Sequence, residues 1–224
     1  MTRPVVIAVD GPAASGKGTL AKLLARHFGF AHLDSGSLYR LAAQNLLRAR
    51  GDPDDEAAAA AAARGIDPAM ANQAALGASE IAGAASIIAA FPRVRAELLD
   101  TQRRFASDPP GGARGAVIDG RDIGTVVCPA AQAKLFVDAL PGRRAHRRWL
   151  ELSSAGRPVS EAAILAEICE RDARDRGRAV APLKPASDAI LLDTSELDID
   201  AAFAAALELV EPRIGEALAA RHRG

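Results

Sequence analysis

The front of the chain carries ten residues whose types and order suit phosphate binding: Asp10-Gly11-Pro12-Ala13-Ala14-Ser15-Gly16-Lys17-Gly18-Thr19. Gly11 and Gly16 permit a tight backbone whose successive N–H groups point inward and cradle an anion. Lys17 adds a point charge that can reach the β- and γ-phosphates. A helix starting near Lys17 would add the positive end of its dipole. This is P-loop chemistry, and it requires a strand before the loop and a helix after it. Val5-Val6-Ile7-Ala8-Val9 is an apolar, largely β-branched run, and Leu20, Leu23 and Leu24 recur at helical spacing. The hydroxyl residue does not follow the lysine directly, because Gly18 intervenes before Thr19. Any Mg²⁺ is therefore expected to be held mainly by phosphates and water, with no protein metal ligand assigned.

Four further stretches place polar groups where chemistry is possible. Asp34-Ser35-Gly36-Ser37-Leu38-Tyr39-Arg40 follows an apolar run, with Ser35 able to cap the next helix and Arg40 one turn in. Phe91-Pro92-Arg93-Val94-Arg95 follows, with Ser86 upstream. In Ile118-Asp119-Gly120-Arg121-Asp122-Ile123-Gly124-Thr125 a buried strand ends in a carboxylate and an Arg-Asp pair sits on a flexible turn. That pair is either a turn salt bridge or part of a ligand edge. In Glu170-Arg171-Asp172-Ala173-Arg174-Asp175-Arg176-Gly177-Arg178, helical spacing puts Arg171, Asp175 and Arg178 on one face, while Asp172 and Arg176 pair on another. A solvated, charge-laced helix would carry the same pattern.

These groups need a scaffold. Five apolar runs read as parallel strands: Val5–Val9, Ala31–Leu33, Ala116–Ile118, Lys134–Val137 and Ala189–Leu192. Helical stretches separate them, so an α/β fold with a parallel sheet covered on both faces is expected. Right-handed crossovers then align the strands' C-terminal ends along one ligand-binding edge, where Asp10, Asp34, Asp119, Asp138 and Asp193 fall. Two segments look inserted into the core formed by residues 1–33, 116–141 and 186–224. Residues 34–115 are a helical excursion that includes the Ala-rich run 57–63 and closes on Pro109-Pro110-Gly111-Gly112. Residues 142–185 are Arg-rich and helical around a Gly156-Arg157-Pro158 turn, the composition of a lid over phosphates. The stretch 199–221 reads as a helix with a break or kink at Pro212.

At 224 residues the chain suits one domain. Its zero net charge offers no basic field for bulk nucleic-acid binding. Cys128 and Cys169 form no CxxC, and the four histidines lack ligand spacing, so a disulfide framework or zinc site is not expected. The first apolar run is cut at Asp10, too short for a signal peptide or membrane span. A soluble, cytoplasmic monomer without nucleic-acid or membrane partners is the expectation.

Read together, the blocks DGPAASGKGTL, LDSGSLYR, AAFPRVRAELL, DGRDIGTVV, RAHRR and ERDARDRGRAVAPL resemble the bacterial cytidylate kinase family. The resemblance covers most of the chain. It implies a three-layer αβα P-loop kinase fold with a five-stranded parallel sheet, a helical monophosphate-binding segment at 34–115 and a lid at 142–185. It implies transfer of the ATP γ-phosphate to CMP or dCMP. Gly11 to Thr19 would bind ATP. Ser35 and Arg40 would meet the sugar and phosphate side of the monophosphate, and Ser86, Arg95 and Asp122 would read cytosine. Arg121 and Arg178 would hold phosphate and, with Lys17, act in catalysis. Arg171 and Asp175 would contact the ribose or deoxyribose. Arg144 and Arg148, four residues apart at the start of the lid, are expected to flank the ATP base and phosphates. One departure is visible: family members often carry a longer insert with a small antiparallel sheet, whereas Ala57 to Ser86 is short and Ala-rich.

Two other readings compete. Another small P-loop kinase would act on UMP, AMP or a non-nucleotide acceptor; the trio Ser86, Arg95 and Asp122 argues against uracil, whose polarity at C4 is opposite to that of cytosine. A nucleotide switch without catalysis is the other. A guanine reader of the Asn-Lys-x-Asp type is absent, since neither Asn45 nor Asn72 precedes a lysine.

Overall fold

A computed structural model describes residues 3–73, 79–157 and 159–221. Its centre is a five-stranded, all-parallel sheet formed by β1 (Val5–Asp10), β2 (Ala31–Asp34), β3 (Gly115–Gly120), β4 (Ala133–Asp138) and β5 (Ile190–Asp193), in the order β2-β3-β1-β4-β5. All five sequence-predicted strands form, each displaced or extended by a residue or two. The register aligns the C-terminal ends. Asp10 lies opposite Gly120 and Phe136, Asp34 opposite Asp119, and Asp138 opposite Asp193.

Because β1 and β3 are central, both of their faces are apolar. Ala8, Leu33 and Ile118 point to one side and Ile7, Val9, Val117, Leu135 and Val137 to the other. Burying each large aliphatic side chain contributes about 1.5–3 kcal/mol. On the second side pack α1 (Lys17–Phe28), through Leu20 and Leu24, and α9 (Ile199–Arg221), through Val210 and Ile214. The helix α9 runs through Pro212 in one assigned stretch. The carbonyl that the proline leaves unpaired belongs to Glu208, four residues back, and both residues are exposed. Water can therefore satisfy it, and the expected break is not needed.

Between β2 and β3 the chain makes α2 (Ser35–Arg48), α3 (Glu56–Ala63), α4 (Pro68–Gln73), α5 (Ser79–Ile88) and α6 (Pro92–Ser107). No strand occurs in this stretch among the described residues. The alanine run becomes α3, capped by Asp55 through the N–H groups of Ala57 and Ala58, and buries Ala59, Ala60 and Ala63 against the core. Between β4 and β5 stand α7 (Pro141–Ser154) and α8 (Glu161–Arg176), the latter capped by Ser160. Of the turn expected at 156–158, Gly156 and Arg157 follow α7, and Pro158 lies outside the described residues. The pair has its own small core of Ala145, Ile164 and Ile168 with Trp149 and Leu152. Ala14 of the glycine-rich loop packs into that cluster.

Candidate functional site

The loop after β1 is shaped by two glycines for different reasons. A Cβ on Gly11 would stand 2.0 Å from the carbonyl oxygen of Val137, so the neighbouring strand leaves no room for one. Gly16 has φ 87°, a left-handed conformation that suits glycine, immediately before α1. Three of the loop's carbonyls are held by side chains. Lys17 Nζ donates to Pro12 O at 3.3 Å, Arg144 Nη1 to Ala13 O at 3.1 Å, and Thr194 Oγ1 to Ser15 O at 3.0 Å. Burial, then the charge of Arg121, pushes the Lys17 ammonium down to about 7, against the pull of Asp119 and Asp34. A bound polyphosphate would reverse that pressure. Thr19 is exposed, as a hydroxyl displaced from the loop would be.

The end of β2 supplies Asp34, which accepts from Arg40 Nη2 at 2.5 Å; burial and this partner act oppositely on Asp34, and the net direction is down. Ser35 does not cap α2. Its hydroxyl donates to Asp119 O at 2.7 Å, tying the start of α2 to the end of β3, while Ser37 bonds the Asp34 carbonyl at 2.6 Å. Cross-strand geometry wins over the local cap because β2 and β3 are neighbours.

The turn after β3 separates Arg121 from Asp122 and does not pair them. Arg121 Nε donates to Asp175 at 2.8 Å, across to α8, and Asp122 accepts from Arg95 of α6. Arg95 also donates to Ala89 O at 3.1 Å and lies over the Tyr39 ring at 5.7 Å. Beneath the turn, the buried Asp10 carboxylate accepts the N–H groups of Ile123 and Gly124, each at 2.8 Å. Burial pushes Asp10 up to about 7, and these two hydrogen bonds offset only part of that rise.

On α8, Asp175 sits between Arg121 and Arg178, and its carboxyl is held low against its own burial by those cations. The helix ends at Arg176, so Arg178 reaches Asp175 from beyond the last turn and not from a shared helical face. Among the described residues, the buried Nε atoms of Arg171 and Arg178 have no hydrogen-bond partner. Burial, then repulsion by Arg121, lowers Arg171 to about 10.

These groups surround a cavity of about 770 Å³. Of the loop, Ala13, Ala14, Lys17 and Gly18 line it, and Gly11, Pro12, Ser15, Gly16 and Thr19 do not. The structure brings Ser35, Arg40, Ser86, Arg95, Arg121 and Asp122 to the same wall-lined space as Arg171, Asp175 and Arg178. Arg148 is at its edge, bonded to Glu151 at 2.8 Å. Arg144 is not in it. Only 1% exposed, Arg144 forks onto both Asp172 oxygens at 3.1 and 2.5 Å and also donates to Ala139 O and Ala13 O. The expectation that it lies against a nucleotide base is corrected by that geometry: its donors are consumed internally. Asp172 also meets Arg176 at 3.7 Å, the pair that helical spacing suggested.

Two lining residues, Tyr39 and Arg174, carry no role in the sequence reading. Tyr39 is the chain's one tyrosine and stands a residue before Arg40, a signal that was legible. Arg174 donates to Ser86 Oγ at 2.8 Å, a contact across 88 positions that no local pattern announces. For a cation, the oxygen donors beside Lys17 are Asp34 and Asp119, the latter bonded to His32 Nε2 at 2.9 Å. Among the described residues no group of three or more His, Cys, Asp or Glu side chains is placed to hold a metal ion. No helix among them is long and apolar enough to cross a membrane.

Comparison with known proteins gives a consistent result. A family model described as cytidylate kinase matches residues 7–212. A curated relative named cytidylate kinase from Rhodopseudomonas palustris (strain HaA2) is 55% identical over 207 residues, covering 92% of this chain and 96% of that protein. Another of that name, from Bradyrhizobium sp. (strain ORS 278), is 56% identical over the same coverage. Among solved structures, an uncharacterized protein from Eubacterium ventriosum superposes with a TM-score of 0.50 at 14% identity, covering 92% of this chain and 98% of that one. That likeness is one of fold.

Proposed function

The chain belongs to the cytidylate kinase family, and from that premise we infer that it transfers the γ-phosphoryl group of ATP to CMP or dCMP, giving ADP and CDP or dCDP. The observation that carries the reading is the cavity's arrangement of charge. A phosphate loop with a desolvated lysine faces an arginine set whose Nε atoms on Arg171 and Arg178 are buried and, among the described residues, unpartnered.

Phosphoryl transfer asks the protein for alignment and charge neutralisation more than for covalent chemistry. We assign the loop amides and Lys17 to the donor phosphates. Arg40, Arg121, Arg171 and Arg178 take the acceptor phosphate and the transferring group, with Ser35 and Asp175 on the sugar side. The carboxylates now paired with these arginines, Asp34 and Asp175, hold the forks in position until phosphate oxygens replace them. No general base is required, because the attacking phosphate oxygen is already anionic at neutral pH. Ser86, Arg95 and Asp122 face the base: Asp122 accepts from the cytosine amino group, and donors meet its ring acceptors. The segment 34–115 carries the monophosphate side, and α7 with α8 closes over the phosphates and excludes water, which would otherwise take the γ-phosphoryl group. Mg²⁺ arriving with ATP suits the oxygen donors of Asp34 and Asp119, through water, and supplies neutralisation of phosphate charge. Arg148, at the cavity edge, is the remaining candidate for the ATP base. We take a monomer as the acting unit, and free Cys128 and Cys169 suit a reducing cytoplasm.

A coupled ADP-release assay over CMP, dCMP, UMP and AMP tests the reading. Turnover with CMP and dCMP well above UMP and AMP is expected. Preference for another acceptor, or ATP binding without transfer, would reject it.

A further inference from the structure

Ser86 lies on α5, buried to 3% exposure, and among the described residues its hydroxyl has one hydrogen-bond partner. Arg174 Nη1, from α8, donates to Ser86 Oγ at 2.8 Å. Arg174 is itself held one helical turn back, where Nη2 donates to Glu170 Oε1 at 2.5 Å. A guanidinium has donors and no acceptor. A hydroxyl that accepts from it keeps its own hydrogen to give, and no described protein group takes that hydrogen. Ser86 and Arg174 line the same cavity as Arg95 and Asp122.

We propose that Arg174 is a specificity-determining positioning residue: by donating to Ser86 Oγ it commits the serine hydrogen to the bound base and makes Ser86 a donor. The inference rests on the assignment of Ser86, Arg95 and Asp122 to base reading. With Ser86 so committed, the three groups present donor, donor and acceptor. Cytosine answers with acceptors at N3 and O2 and a donor at its amino group. Uracil has a hydrogen on N3 and a carbonyl at C4, so Ser86 could answer it only with its one remaining lone pair, leaving the serine hydrogen without an acceptor among the described residues. Without the guanidinium, Ser86 can rotate and accept from N3–H, and part of the discrimination is lost. Arg174 thus acts on the base through Ser86, from a helix on the far side of the cavity.

The test is kcat/KM for CMP and UMP in the wild type, Arg174→Met, Ser86→Ala and the double variant. The Arg174 side chain is 32% exposed on the surface of α8, so methionine is compatible with folding. Arg174→Met lowers the CMP/UMP ratio about fivefold to tenfold, the size of one net hydrogen bond. In the Ser86→Ala background the same substitution leaves the ratio unchanged, because the group it acts through is gone. A role in lid packing alone would lower both substrates together, so an unchanged ratio in Arg174→Met overturns the proposal. A fall of the same size in the Ser86→Ala background also overturns it. Loss of the CMP preference in the wild type itself rejects the base-reading assignment instead, and the same measurements separate the two failures.

Discussion

The joint between α7 and the glycine-rich loop and the cavity wall on α8 both take arginine out of water, and they treat it in opposite ways. At the joint, Arg144 spends its donors on Asp172, Ala139 and Ala13. At the wall, the buried Nε of Arg171 and of Arg178 are unpartnered among the described residues, and Arg171 has its pKa pulled down by burial and by the other cations. A buried guanidinium costs several kcal/mol unless its charge and hydrogens are met. The joint meets them with protein and gains rigidity. The wall leaves the deficit open, and an anionic ligand can supply what is missing. Between Arg144 and Arg171, satisfaction of the guanidinium, not its presence in the sequence, separates scaffold from receiver.

The largest effect that could break this contrast is at the joint. Arg144→Met leaves the Asp172 carboxylate buried with, among the described residues, only the 3.7 Å contact to Arg176, and a loss of about 3–5 kcal/mol in a urea melt is expected. Arg144→Met with Asp172→Leu should recover most of it. A stable single variant with crippled ATP binding would move Arg144 to the receiver class. Next comes Lys17→Ala, for which kcat falls roughly 100- to 1000-fold, about 2.7–4 kcal/mol of transition-state stabilisation. The melting temperature of the unliganded chain should not drop, because the lysine's own charge is disfavoured by burial. A folded variant with near-normal turnover would undo the loop assignment.

Arg171→Met sharpens the contrast from the other side. Removing a cation whose Nε is unmet should raise the unliganded melting temperature slightly while kcat/KM for CMP falls on the order of 10- to 100-fold. A loss of both stability and activity would make Arg171 a scaffold residue like Arg144. The pH dependence of binding is a smaller effect. Lys17 is lowered from its ordinary 10.5 to about 7 in the free protein. Between those values the unfolded chain binds more protons, so unliganded stability gains as pH rises through that window. ATP restores the ammonium, so binding takes up a proton and weakens as pH rises above about 7. Calorimetry near pH 8.5 in buffers of different ionisation enthalpy should show uptake of up to about one proton, absent in Lys17→Arg. Smallest is Arg148→Ala: its pair with Glu151 is exposed and worth under about 1 kcal/mol, so melting is unchanged while KM for ATP rises a few-fold and that for CMP holds.

The sheet and the phosphate loop were legible because buried parallel strands and a glycine-bracketed turn leave local marks: β-branched runs, a lysine at fixed spacing and leucines at helical period. The residues that line the cavity opposite the loop stand in motif blocks that were legible as well. What escaped was partnership over long separations. The i, i+4 spacing put Arg144 and Arg148 on one face, but only the approach of α8 shows that Asp172, 28 positions on, claims the first and not the second. Ser35 looked like a cap until β3 lay beside it. Arg178 was placed by helix periodicity, although the helix stops at Arg176 and the chain bends back.

Ala14 has a mechanical meaning. It adopts φ 59°, a backbone state in which glycine would be cheaper, yet its methyl group packs into the small core of α7 and α8. With Arg144 gripping the neighbouring carbonyl, the tip of the phosphate loop is fastened to the α7–α8 pair at two points. Arg144 also grips Asp172, the neighbour of Arg171 on α8, so the loop tip and the first arginine of the cavity wall are held at one spacing by a single side chain.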